Sequence, residues 1–156
     1  MGWNGFNPLT SLFRYIWGRA MGRICFSKPQ LGKLINFKGV EYEIIKEIAA
    51  TGSNEPEATF TVKFCLARMS PATNRIFLNL PVPFFAEFPG FRHKLWLYDP
   101  LTGDFRGLYQ WQTVSDAQRY ARSYAIRFMK GRSVPGSVEY EITDRKTRGT
   151  VERGSL

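Results

Sequence analysis

The sequence predicts an α+β fold: four antiparallel strands in the order βαββαβ, with both helices on one face of the sheet and a basic amphipathic helix ahead of them. Three observations carry this. Residues 91–98 and 105–111 are rich in aromatic and aliphatic side chains and flank a loop of turn formers, Asp99-Pro100-Leu101-Thr102-Gly103-Asp104, which is a hairpin signal. Residues 60–67 (FTVKFCLA) alternate as a half-buried strand does, and residues 137–143 (SVEYEIT) alternate likewise. Between the hairpin and the last strand lies a run of helical period that opens on cap residues.

Taken in order, Asn7 and Pro8 cap and start a helix expected to reach Phe26, with Leu9, Leu12, Phe13, Ile16, Trp17, Ala20 and Ile24 at helical spacing. Arg14, Arg19 and Arg23 interrupt any spanning segment, so this helix is expected to dock on the domain or a partner subunit, with an anionic membrane surface as the alternative for residues 8–26. Residues 27–39 read as a connection, residues 40–48 (VEYEIIKEI) as either an extra strand or a helical turn, and residues 51–56 as a loop. Ser70 and Pro71 begin the first domain helix, expected to be broken or bent near Pro81 and Pro83. After the hairpin, Thr113 or Ser115 caps the second helix; Ser115 with Gln118 has the spacing of a capping box. Ala117, Tyr120, Ala121, Tyr124, Ala125 and Phe128 form its buried stripe, and Gly131 and Pro135 end it. Residues 1–58 are thus a helix and connecting extension, 59–144 the α/β domain, and 145–156 a mobile polar tail.

The hairpin loop sets a register. With Asp99 facing Asp104, Tyr98 faces Phe105, Trp96 faces Gly107, Lys94 faces Tyr109 and Arg92 faces Trp111; His93, Leu95 and Leu97 pair with Gln110, Leu108 and Arg106 on the other side. One face is aromatic and basic, the other mostly aliphatic. Leucine pairs are what covering helices need, so the aliphatic face is expected beneath them, leaving the aromatic face to line a cavity or an interface. Gly107 opposite Trp96 suggests an indole lying over the backbone.

Composition narrows the function. The 156 residues hold 22 basic and 13 acidic side chains, a net charge of +9, and residues 1–40 carry six cations and no acid. Such a balance suits acidic partners. The two cysteines, Cys25 and Cys65, form neither a disulfide framework nor a zinc motif, and no apolar run is long enough to span a membrane, so a cytoplasmic protein is expected, with peripheral membrane attachment as the variant. The order of elements is also that of RNA-recognition modules, and Arg106-Gly107-Leu108-Tyr109-Gln110-Trp111 opens like their central motif. The aromatics fall at the wrong parity for base stacking, so nucleic acid is not the expected partner.

The order strand, helix, hairpin, helix, strand is the ferredoxin-like unit. Pro89-Gly90-Phe91, Lys94 and Trp96, then Gly107, Tyr109 and Trp111, then Ala117 and Tyr120, resemble the motif of the YdhR-like mono-oxygenases of the dimeric α/β-barrel superfamily, which includes the antibiotic-biosynthesis mono-oxygenases. The resemblance covers roughly residues 59–144. It implies a homodimer whose two sheets close into a barrel, an apolar or aromatic small molecule as ligand, and mono-oxygenation without a cofactor, with cyclase, isomerase or noncatalytic binding chemistry as alternatives in the same fold.

Cofactor-independent oxygenation needs a base, a dry cavity and donors for a developing anion. Lys94 opposite Tyr109 is the leading catalytic pair; the indoles of Trp96 and Trp111 could donate, Arg92 could hold an anionic oxygen, and Gly107 leaves room for a ligand. These aromatics could equally be barrel or interface core. His93, the single histidine, suits proton transfer near neutrality but points away from Lys94, so one of the two, not both, lines the pocket. Lys63, Cys65, Glu139 and Glu141 would share the aromatic face if leucines met the helices, either as cavity groups or as cross-strand ion pairs. No metal site is expected.

Overall fold

The computed structural model describes residues 12–13, 16–17, 22, 24–25, 30–51, 55–65, 70, 73, 82–86 and 88–155. Its elements are β1 Ile24–Cys25, β2 Leu34–Phe37, β3 Val40–Ala50, β4 Ala58–Phe64, α1 Val82–Ala86, β5 Phe91–Tyr98, β6 Phe105–Trp111, α2 Val114–Ala121, α3 Tyr124–Gly131, β7 Glu139–Asp144 and β8 Gly149–Ser155. The strands form one antiparallel sheet in the order β1-β3-β5-β6-β4-β7-β8, with β2 paired to β3 off this path. The middle four, β5-β6-β4-β7, are the ferredoxin-like sheet.

Among the described residues the sheet has eight strands, not four. β3 extends it past β5 and β8 extends it past β7. β3 reads ambiguously because a bulge between Ile44 and Lys46 breaks its alternation: Tyr42 and Ile44 face one side, Lys46 and Ile48 the other. Residues 149–155, expected to be a mobile tail, are held as a strand by the β7 ladder despite their polarity. The first helix, expected to reach Phe26, gives way to β1 at Ile24; residues 12–13 and 16–17 are helical with Leu12, Phe13, Ile16 and Trp17 exposed, and the rest of that expectation lies outside the described residues. Of the helix expected from Ser70, Thr73 is helical and Val82–Ala86, which contains Pro83, forms α1; the rest of that expectation lies outside the described residues.

The hairpin loop folds as its composition dictates. Asp99 accepts from the Leu101 N–H at 2.8 Å and the Thr102 hydroxyl at 2.8 Å, while Gly103 takes a positive φ of 78° and donates to the Asp99 carbonyl. The register is the expected one from Tyr98↔Phe105 through His93↔Gln110. It then departs: a bulge at Arg92 places Phe91, not Arg92, opposite Trp111.

Which face meets the helices is the reverse of expectation. The aromatic face is the main core: Phe60, Trp96, Tyr109 and Trp111 pack with Phe85 of α1 and Ala117, Tyr120, Ala121, Ala125 and Ile126 of α2 and α3. Large rings bury more apolar area per residue than leucines and tile edge to face, so they form the better floor. Leu95 and Leu97 meet Tyr42 and Ile44 instead, with Ile35, Phe37 and Leu108 packed alongside. The β2–β3 hairpin therefore folds over part of the second face. It is fixed there by Arg106, which stacks 4.8 Å from the Phe37 ring and donates to the Tyr42 hydroxyl, and by a Lys38–Glu141 ion pair reaching to β7.

The second helix is capped by Thr113, whose hydroxyl accepts from the Asp116 N–H at 3.1 Å and donates to the Asp116 carboxylate at 2.7 Å, rather than by a Ser115–Gln118 box. It breaks at Arg122–Ser123, and the break rotates the stripe: Ala125, Ile126 and Met129 are buried while Tyr124 is 54 % exposed.

Candidate functional site

Because strand side chains alternate, the neighbours Lys94 and Trp96 of β5 and Tyr109 and Trp111 of β6 project to the helix side together. β3 adds Lys46, cross-strand from Trp96, and α1 adds Phe85. The result is an aromatic box around a lysine. Lys94 is 1 % exposed, and its Nζ lies 3.9 Å from the ring centre of Trp96, 4.1 Å from Phe85 and 4.3 Å from Tyr109. Lys46 Nζ lies 4.9 Å from the same indole.

Ring faces attract a cation, but they replace little of the hydration an ammonium loses on burial. No carboxylate among the described residues is within ion-pair distance of Lys94. Desolvation therefore drives its pKa well below the ordinary lysine value, and the nearby Lys46 charge pushes it further down. Partial burial also lowers Lys46, to about 8.

Beside the box, the Tyr120 hydroxyl donates to the Tyr109 hydroxyl at 3.0 Å. Burial pushes both phenols up, so each stays protonated and able to donate. The Trp111 ring, 4.9 Å from that of Tyr120, carries a buried Nε1–H with no hydrogen-bond partner among the described residues. A buried donor left unpaired costs about 1–3 kcal/mol unless a ligand or water satisfies it. Gly107 lies under Tyr109: a Cβ there would be 2.6 Å from Tyr109 Cε2 and 3.3 Å from Val62 Cγ1. The ring over this glycine is thus a tyrosine two residues on, not the opposing indole.

The sequence-derived candidates accordingly divide. Lys94, Trp96, Gly107, Tyr109 and Trp111 come together. His93 does not; it lies on the second face, where its Nε2 is 2.7 Å from Glu47 Oε1. Arg92 sits in the bulge and donates from Nη2 to Gln112 Oε1 at 2.8 Å, and its buried Nε has no hydrogen-bond partner among the described residues. Lys63, Glu139 and Glu141 do not share the aromatic face: their cross-strand positions place them with Leu108 and His93, with Lys63 ion-paired to Asp104 and Glu141 to Lys38 and Arg153. Lys46, Phe85 and Tyr120 were missed. Tyr120 was legible as a buried helix position and Lys46 would have been had the bulge been visible; Phe85 gave no signal. Among the described residues no three metal-ligating side chains cluster, and no helix is long and apolar enough to cross a membrane.

No protein-family model matches the sequence, and no curated protein is significantly similar to it. Solved structures do share the fold. An uncharacterised ferredoxin-fold protein related to antibiotic biosynthesis mono-oxygenases, from Listeria monocytogenes, aligns over 83 % of this chain and 86 % of its own at 12 % identity, with a TM-score of 0.52. A haem-degrading enzyme from Listeria monocytogenes aligns over 83 % and 91 % at 14 % identity, TM-score 0.51. An anthrone oxidase-like protein aligns over 74 % of this chain and 56 % of its own at 16 % identity, TM-score 0.50. The chain thus has the ferredoxin-like fold found among mono-oxygenase-related proteins.

Proposed function

We propose that this chain is a dimeric α/β-barrel protein that binds an apolar aromatic molecule in the box around Lys94, and that it oxygenates a phenolic or polyketide-like substrate without a cofactor. The observation that carries the reading is a buried lysine enclosed by three ring faces beside a tyrosine hydroxyl pair. A free amine is a base, and the surrounding rings match a flat aromatic ligand. Lys94 would take a proton from an activated C–H or phenol; the ammonium so formed, with the Trp111 N–H, would hold the resulting anion. That anion is electron-rich enough to reduce dioxygen directly. A CH₂ flanked by an aromatic system then becomes C=O, one oxygen atom entering the product and the other leaving as water, so no external reductant is needed.

His93 and Arg92, away from the box, keep structural roles in this reading. The part of the second sheet face beyond the β2–β3 hairpin is the surface through which two copies would close the barrel. The test is oxygen consumption with an anthrone under ¹⁸O₂, with native mass spectrometry on the same sample. Labelled carbonyl product from a protein of dimer mass is expected, and Lys94→Met should lower the rate about 10²–10⁴-fold. Substrate turnover without oxygen uptake would replace oxygenation by isomerase or cyclase chemistry, and a monomer with full activity would overturn the dimeric barrel.

A further inference from the structure

A side chain retained only to fill the space of Lys94 needs no nitrogen. Methionine has similar reach and none of the desolvation cost, and a lysine can usually avoid that cost by extending its amine to water. Lys94 does neither: it is 1 % exposed and its Nζ is packed against ring faces. A second lysine shares one of those rings, with Lys46 Nζ 4.9 Å and Lys94 Nζ 3.9 Å from the centre of Trp96. A desolvated amine beside another cation is the arrangement that keeps a lysine unprotonated and nucleophilic at neutral pH. Among the described residues, the groups facing it are Lys46 from β3, Tyr109 from β6 and, through the Tyr109 hydroxyl, Tyr120 from α2; α1 contributes the uncharged Phe85.

We propose that Lys94 is a nucleophile that condenses with the carbonyl group of an aromatic aldehyde or ketone and holds it in the box as an imine. This gives the amine of the site already described a second use, on carbonyl compounds in place of the proton transfer it would perform on a phenol, and rests on the box being a ligand site. The amine lone pair forms the C–N bond as the carbonyl π pair moves to oxygen, and the nitrogen's proton passes to that oxygen to give a carbinolamine. The C–O bond then breaks, oxygen leaves as water, and loss of the remaining N–H proton gives a neutral imine. One water is released, and no oxidant or reductant takes part. The Tyr109–Tyr120 hydroxyl pair is the adjacent group able to pass a proton to the departing oxygen.

The test is reductive trapping. Intact protein is incubated with benzaldehyde and cyanoborohydride at pH 7, and the adduct is located by peptide mass mapping. An exposed lysine holds only about one part in 2,500 of free amine at this pH, so a Lys94 adduct should form well ahead of any on an exposed lysine. Lys94→Met and Lys94→Gln should each abolish it, with cooperative urea unfolding checked in both; Lys46→Met, which removes the neighbouring charge, should slow it, and Lys33→Met, at an exposed lysine, should leave it unchanged. No adduct on the folded wild type, or the same spread over lysines as in urea-unfolded protein, overturns the proposal. Quenching of tryptophan fluorescence by phenol, which has no carbonyl, separates the two readings. Phenol binding without a benzaldehyde adduct defeats the imine and leaves the ligand site standing, whereas neither signal defeats both.

Discussion

Lys94 concentrates the chemistry of this molecule in one nitrogen atom, and its cost is measurable apart from any activity. Replacing a buried charge-bearing group with an apolar one of similar volume is often neutral or stabilising, by up to about 4 kcal/mol. Lys94→Met should therefore unfold at an equal or higher urea concentration than wild type while losing the proposed activity; a large drop in midpoint would show that the amine is held by interactions that outweigh its burial. Gly107 makes the opposite kind of prediction. With a Cβ placed 2.6 Å from Tyr109 Cε2, Gly107→Ala must move a ring that is packed against Phe60, Phe85 and Tyr120. A loss of about 1–3 kcal/mol is expected, as for overpacking generally. The near-ultraviolet circular dichroism should change with it, and an unchanged spectrum with full stability would mean that the Tyr109 ring does not lie over Gly107.

At the scale of elements, the β2–β3 hairpin is the piece that makes this sheet more than a four-stranded one. Its tip is anchored through Glu141, whose carboxylate accepts from Lys38, from the Thr150 hydroxyl at 2.6 Å and from Arg153 at 3.0 Å. The Lys38 hydrogen bond, followed by that of Thr150, holds the Glu141 pKa down at about 2, against an ordinary glutamate value of 4.5. A depressed carboxyl contributes stability above its unfolded pKa and loses it as pH falls through the folded one. The wild type should therefore lose stability on acidification from about pH 4.5 toward about pH 2 partly through this residue. Glu141→Gln should start lower and lose less over that window, and amide exchange in β2 should quicken in the variant. Equal acid limbs in both proteins would remove Glu141 from the anchoring of the hairpin.

For the whole molecule, the lysines of the box set the alkaline side of the stability curve. Lys46 titrates at about 8 when folded and near the ordinary lysine value of 10.5 when unfolded. Below about pH 8 both states hold the proton and the full penalty for burying the charge applies. Between there and about pH 10.5 the unfolded state binds more protons than the folded one, so stability rises with pH. Lys94 is shifted in the same direction, largely by burial and further by the Lys46 charge. Thermal melts from pH 7.5 to 10 should show this rise, and Lys46→Met should flatten it; a stability that falls uniformly across the window would contradict the burial of these amines.

Much of this fold is legible one residue at a time. The Asp99–Asp104 loop announces a hairpin because aspartate and glycine satisfy a tight turn locally, and from that loop the pairing of Lys94 with Tyr109 and the separation of His93 follow by strand parity alone. The core strands alternate, the helix opens on cap residues, and these signals arise from neighbours in the chain. What the sequence could not reveal depends on parity breaks and on long-range contacts. Bulges at Ile45 and Arg92 reset which face a side chain occupies, and no local pattern marks them. β8 is a strand because β7 offers it a ladder, not because its own residues prefer one. Above all, parity sorts residues into two faces without saying which face the helices cover. That was decided by tertiary packing: the rings of Phe60, Trp96, Tyr109, Trp111 and Tyr120 interlock with one another and with α1 and α2, and in doing so they carry Lys94 out of water.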